Sequence, residues 1–174
     1  MEKVILVDDK DRVIGEMEKI EAHEQAALHR AVSIFMFNSK GEMLLQRRAL
    51  TKYHSPGLWT NTACTHPRMG EGSAEAAKRR AMEEMGMDVD GIRELFYFIY
   101  KEKLDNELTE YELDHVFVAS SDAVPHLNTD EVCEYRYVDV AILKQELKER
   151  PEQFTVWFKK IVERVIDHYS QNRR

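Results

Sequence analysis

The chain has 174 residues, 43% of them hydrophobic and 33% charged, which suits one well-buried domain spanning 1–174 and leaves too little for two. Its formal net charge is −7, with no basic tail and no block of like charges, which argues against nucleic-acid binding through a broad electrostatic face. No stretch approaches the length of a membrane span, and the apolar run Val4–Val7 is too short for a signal-peptide core, so a cytoplasmic protein is expected. With only two cysteines, Cys64 and Cys133, a disulfide framework is not expected and each thiol is judged singly.

In chain order, Val4–Asp8 and Arg12–Lys19 read as strands flanking a polar turn. Ile20–Arg30 is short, Ala-rich and holds His23 and His29; it fits a helical turn or a loop equally well. Ala31–Phe37 is an apolar run, and a turn at Asn38–Gly41 leads into a strand over Glu42–Arg47. Residues 51–72 have almost no periodicity, and a loop of that length inside a compact domain is uncommon unless it has a function. A helix then runs from a Ser73 N-cap through Ala74–Met85 to Gly86 at C′. Strands are predicted over Ile92–Leu104, Leu108–Ser120 and Cys133–Val140. The tail is helical, with Phe154, Trp157, Phe158, Ile161, Val162, Val165, Ile166 and Tyr169 on one apolar face. Strands, a central helix, more strands and terminal helices make an α+β domain with a mixed or antiparallel sheet.

Three groups of residues could carry chemistry. On the central helix, Glu83 and Glu84 lie in the last turn, where they could hold a hard cation such as Mg²⁺; equally, Arg79–Glu83 and Arg80–Glu84 fit i,i+4 ion pairs on a solvated face. In the loop Leu58–Pro67, Cys64 could be an acid, a base, a nucleophile or a small buried hydrophobe, and His66 a metal ligand or a loop-stabilising side chain. Glu110, Glu112 and Asp114 alternate along a predicted strand and so share one face. Three carboxylates in a row need either solvent or a cation, and His23, His29 and His66 would complete a mixed nitrogen–oxygen site.

The helix and its approach resemble a Nudix box, Gly-x5-Glu-x7-Arg-Glu-(aliphatic)-x-Glu-Glu-x-Gly-(aliphatic), at Glu71, Arg79, Ala81, Glu83, Glu84, Gly86 and Met87. Thr65 stands at the first glycine position and Arg80 at the second glutamate, which puts metal-activated hydrolysis in doubt and suits anion binding. Further signatures are Glu18-Lys19…His23…Leu28-His29-Arg30-Ala31, Gln46–Lys52, Pro56–Pro67 and Glu110-x-Glu112. In this order they resemble the type 1 isopentenyl-diphosphate isomerases, a branch of the Nudix fold, from about Glu18 to about Phe117 with an echo at Trp157. The resemblance implies a Nudix-like mixed sheet packed between helices, with added N-terminal strands and a C-terminal amphipathic helix.

It also implies a divalent metal, Mn²⁺, Zn²⁺ or Mg²⁺, on His23, His29, His66, Glu110 and Glu112, and a Mg²⁺ that accompanies the diphosphate on Glu84. Lys19, Arg48, Lys52 and Arg80 would grip the diphosphate. The implied reaction is a 1,3-allylic proton shift between isopentenyl and dimethylallyl diphosphate, with Cys64 at one face and Glu112, assisted by Tyr100, at the other. Trp157 would shield the tertiary cation, although its place on the tail stripe also fits a core role. The partner implied is a small diphosphate, with the protein a monomer or weak homodimer. Two other readings remain: a Nudix pyrophosphohydrolase and a non-catalytic diphosphate-binding module.

Overall fold

Alternating apolar residues at the amino end pair into a hairpin: β1 (Lys3–Val7) runs antiparallel to β2 (Val13–Glu18) across a turn where Asp8 accepts N–H bonds from Lys10 and Arg12. The computed structural model describes residues 1–172. After β2 the segment that fitted helix or loop forms a short helix, α1 (Lys19–Glu24), whose first turn is capped by the Glu18 carboxylate accepting from the Glu21 N–H.

The apolar run beyond α1 becomes β3 (His29–Phe37), the strand around which the sheet is built. It is apolar on both sides because both sides are covered. Val32, Ile34 and Met36 pack with α2 (Ser73–Met85), and Phe35 and Phe37 pack with α3 (Val140–Glu149) and α4 (Val156–Gln171). The sheet is mixed, as expected: β3 runs parallel to β8 (Thr109–Ser120) and antiparallel to β4 (Met43–Arg48) and β6 (Ala63–Thr65). Beyond β4 lie β5 (Trp59–Thr60) and β9 (Val132–Val138), and beyond β8 lies β7 (Arg93–Lys103). The 51–72 stretch, which lacks periodicity, therefore contributes two very short strands, β5 and β6. Among the described residues no helix is long and apolar enough to cross a membrane.

Register is what brings distant residues together. Along β3 and β8, His29 stands opposite Glu112 and Ala31 opposite Asp114. Tyr100 of β7 stands opposite the same Glu112, and Cys64 of β6 opposite Ser33 of β3. Because β8 lies between β3 and β7, Glu110, Glu112 and Asp114 are buried; they do not form the solvated edge that three carboxylates in a row also allowed.

Two terminus assignments change. The N-cap of α2 is Gly72, not Ser73, and Glu75 at the third helical position accepts the Gly72 N–H at 2.9 Å. Phe154 is buried but precedes α4 in extended backbone, bridged to Trp59, while Trp157, Phe158, Ile161, Val162, Val165 and Ile166 form the helix's buried face as expected. Gly86 does end α2, in the left-handed region at φ 60°, and a Cβ there would lie 2.5 Å from the His126 carbonyl oxygen. Gly86→Ala should therefore lower unfolding stability by about 2 kcal/mol or more. Urea denaturation followed by circular dichroism measures this, and an unchanged midpoint would contradict it.

Candidate active site

A cavity of about 310 Å³ opens where α4 stops covering the sheet, with Trp157 of the first turn of α4 on its wall. His23, His66, Glu110, Glu112, Tyr100, Cys64, Glu84, Lys19, Arg48, Lys52 and Arg80 all line it. His29, fully buried behind them, completes the set the sequence assigns to chemistry.

Three histidines from α1, β3 and the loop after β6 converge, with ring centroids 5.0 Å apart for His23–His29 and His29–His66 and 6.0 Å apart for His23–His66. Their orientation is fixed from behind. His23 Nδ1 lies 2.6 Å from the Lys19 carbonyl and His29 Nδ1 2.8 Å from the Ala27 carbonyl; a carbonyl only accepts, so both Nδ1 atoms carry hydrogen. That leaves each Nε2 with a lone pair. His29 Nε2 is buried without a hydrogen-bond partner and lies 3.5 Å from Glu112 Oε1, while His66 Nε2 meets the same oxygen at 3.1 Å. One donor atom from each of His23, His29, His66 and Glu112 falls within 4.8 Å of the others, a group able to hold a divalent metal.

Glu110 lies outside that group. Its Oε2 is 3.0 Å from the Tyr100 hydroxyl, which is also 2.7 Å from Glu112 Oε2. The hydroxyl has one hydrogen to give. Burial pushes the Glu112 carboxyl up, but the His29 and His66 imidazoles set against its Oε1 outweigh it and hold the group well below the carboxylate range. Burial and the Glu112 charge push Glu110 well above that range. Tyr100 therefore donates to an ionised Glu112, and Glu110 beside it keeps its proton.

On β6, burial pushes the Cys64 thiol up to about 12, so it holds its hydrogen at neutral pH. Its sulfur lies 3.4 Å from Ser33 Oγ and 3.1 Å from Asn61 Nδ2, and Ser33 donates to Asp114 Oδ2 at 2.7 Å. Ser33, Asn61 and Asp114 thus surround the thiol. Motif reading passes over Ser33 and Asn61 and places Asp114 with the carboxylates, not with Cys64, because this proximity follows from the β3–β6 and β3–β8 registers.

The cations of the cavity come from α1, β4, the loop after it and α2. Lys19 pairs with Glu2 at 3.0 Å, Lys52 with Glu131, and Arg80 with Glu84 at 2.6 Å and Glu131 at 2.8 Å. The i,i+4 pair Arg80–Glu84 therefore exists, but on a buried face, since Glu84 is 4% exposed and also accepts from Gln46 at 2.6 Å. Arg48 has no carboxylate partner among the described residues; its guanidinium lies over the Trp157 ring at 5.3 Å and donates to the His54 carbonyl. Trp157 is 4% exposed, so it serves the core and the cavity wall together. His54 and Tyr53 close this wall. His54 sits edge-on to Trp157 at 5.7 Å, and burial, then the charges of Arg48 and Lys19, push it down to about 3, so it is neutral.

The NUDIX domain family matches residues 27–158. A relative from Photorhabdus laumondii named isopentenyl-diphosphate Delta-isomerase 2 is 49% identical over 92% of this chain and 90% of its own. Another of the same name, from Aromatoleum aromaticum, is 46% identical over 98% of this chain and 90% of its own. The chain belongs to the isopentenyl-diphosphate Delta-isomerase family. A solved structure from Deinococcus radiodurans, 24% identical, superposes with a TM-score of 0.77 over 94% of this chain and 98% of its own and so shares its fold, which the family match makes the Nudix fold.

A histidine nitrogen binds a metal only when unprotonated. Burial lowers His23 and pushes His66 down to about 4, so neither competes with a cation at moderately acid pH. Affinity for Mn²⁺ or Zn²⁺ should therefore fall less between about pH 7.5 and about pH 5 than at a site built from solvent-exposed histidines. Competition titrations test this; an affinity that falls as steeply as that of an exposed three-histidine peptide would contradict it.

Proposed function

We propose that this protein interconverts isopentenyl and dimethylallyl diphosphate by moving one proton on and another off the hydrocarbon within the cavity. The observation that carries this reading is geometric: the Cys64 thiol of β6 and the Glu112 carboxylate of β8, which accepts from the Tyr100 hydroxyl at 2.7 Å, line one cavity together with Trp157 and four cations. An alkene is a weak base, so the group that protonates it must be held against it without competing water, and a second group must remove a proton from the neighbouring carbon. Cys64 and Glu112 come from different strands, and the single transferable proton sits on Cys64 for one direction of reaction and on the Glu112–Tyr100 pair for the other. Tyr100 extends the reach of Glu112 through its 2.7 Å hydrogen bond.

In this reading Lys19, Arg48, Lys52 and Arg80 hold the diphosphate. The hydrocarbon lies toward Trp157, whose ring already carries the Arg48 cation and would face the transient tertiary cation in the same way. His23, His29, His66 and Glu112 would hold a divalent metal, Mn²⁺, Zn²⁺ or Mg²⁺; bound there it sets the proton affinity of Glu112. Glu110 would join them if its proton were displaced. Glu84 would hold the Mg²⁺ that neutralises diphosphate charge.

Incubation with isopentenyl diphosphate and Mg²⁺ in D₂O should give dimethylallyl diphosphate carrying deuterium and no inorganic phosphate. Phosphate release without a deuterated product would return the chain to the hydrolase reading. Cys64→Ala should lower kcat by about 10²-fold or more while leaving the thermal midpoint and metal content nearly unchanged, since only the proton-bearing atom is removed. Full activity in that variant would reduce Cys64 to a packing residue.

A further inference from the structure

Of the four cations facing the cavity, three already carry a carboxylate: Lys19 that of Glu2, Lys52 that of Glu131, and Arg80 those of Glu84 and Glu131. Glu131 is unlike the others in taking two of them. Its Oε2 is the acceptor for both the Lys52 ammonium and Arg80 NH2, as one oxygen of a phosphate would be.

On Arg80 the carboxylates crowd one nitrogen: NH2 donates to Glu131 Oε2 at 2.8 Å and lies 2.6 Å from Glu84 Oε1, NH1 meets Glu83 at 3.2 Å, and the buried Nε has no hydrogen-bond partner. A phosphate oxygen approaching NH2 meets carboxylate charge on both sides, so one of the two carboxylates has to give way. Glu84 is fixed: it is 4% exposed, sits inside a helix and is held from its other side by Gln46. Glu131 is the free one. Its side chain is 26% exposed, and it stands in the connection between β8 and β9, just ahead of β9. Its backbone is anchored independently of its carboxylate, by Ala49 N–H donating to its carbonyl and its own N–H donating to the Asn128 carbonyl. The side chain can swing away without moving the chain.

We propose that Glu131 is an internal counter-anion that occupies the place of a diphosphate oxygen on Lys52 and Arg80 and exchanges with the substrate, so that it sets how tightly a diphosphate is held. The inference rests on the reading of Lys52 and Arg80 as diphosphate ligands. Its effect is twofold. With the cavity empty, it keeps two cations from repelling each other and from binding stray anions. When product forms, it competes for the same hydrogen bonds and favours release.

Inorganic pyrophosphate in Mg²⁺ buffer, measured by calorimetry, reports on this contact without turnover. Glu131→Gln keeps the shape and removes the charge, and should tighten pyrophosphate about tenfold, with KM for isopentenyl diphosphate falling by a similar factor and kcat changing less. Glu131→Asp, which keeps the charge, should bind pyrophosphate within a few-fold of the parent. A role confined to holding the loop predicts instead no gain in either variant. Pyrophosphate binding no tighter in Glu131→Gln than in the parent overturns the assignment. Lys52→Met separates this failure from a failure of the underlying reading. Weakened pyrophosphate binding in Lys52→Met, with no gain in Glu131→Gln, removes the Glu131 role alone, whereas unchanged binding in Lys52→Met removes both.

Discussion

Parallel pairing of β3 with β8 sets His29 directly beside Glu112, and most of the site follows from that register. Side chains alternate along a strand, so a slip of one residue would turn Glu110, Glu112 and Asp114 into the layer occupied by α2 and bring Leu113 to the histidines. The apolar pattern forbids such a slip. Val116 and Val118 share a face with the carboxylates and are needed under α4, while Phe117 and Ala119 are needed under α2. Hydrophobic packing in one half of β8 thereby fixes the position of polar groups in the other half, several residues away.

Those polar groups are costly to hold. An ionised carboxylate taken out of water loses several kcal/mol of hydration, and one left unpaired would be among the most destabilising features a domain can carry. The structure distributes the cost by giving the buried acids different protonation states. Glu112 is ionised because His29, His66 and Tyr100 all address it; Glu110 and Asp114, beside it on the same face, are pushed up by burial and by its charge. The same burial pushes His23 and His66 down, which keeps their ring nitrogens available to a cation. In a protein of net charge −7, the cation-rich side of the cavity is then a local exception, built from Lys19, Arg48, Lys52 and Arg80 and largely balanced by its own carboxylates.

Much of this was legible in the residues because it is periodic or local. The buried stripe of α4, the two-sided apolar run of β3, the C-terminal glycine of α2 and the alternation of Glu110, Glu112 and Asp114 each need only a short window. The cap of α2 was misplaced by one residue because Ser73 is a better N-cap by type, whereas Glu75 satisfies the Gly72 N–H instead. Phe154 fell on the helical spacing by coincidence, its burial coming from an extended bridge to Trp59. The surroundings of Cys64 lie beyond any short window, since the β3–β6 register brings Ser33 to the sulfur and the β3–β8 register brings Asp114 to Ser33. Glu131 was out of reach for a like reason: no motif joins it to Lys52, from which it is separated by most of the sheet in sequence.

The same helix that gives Nudix hydrolases their metal-binding glutamates does different work here, and the difference lies in charge. With Arg80 in place of a carboxylate, the buried end of α2 presents Glu84 already paired to a guanidinium, leaving a single acid where several would be needed to hold metals against a water nucleophile. The donors able to hold a divalent metal lie on the sheet and its adjoining segments, at His23, His29, His66 and Glu112. In the proposed reading the helix faces the anion and the sheet faces the carbon skeleton. A proton would then move in a space lined by Cys64, Tyr100 and Trp157 while the phosphate bonds, held by the cations on the helix side, stay whole.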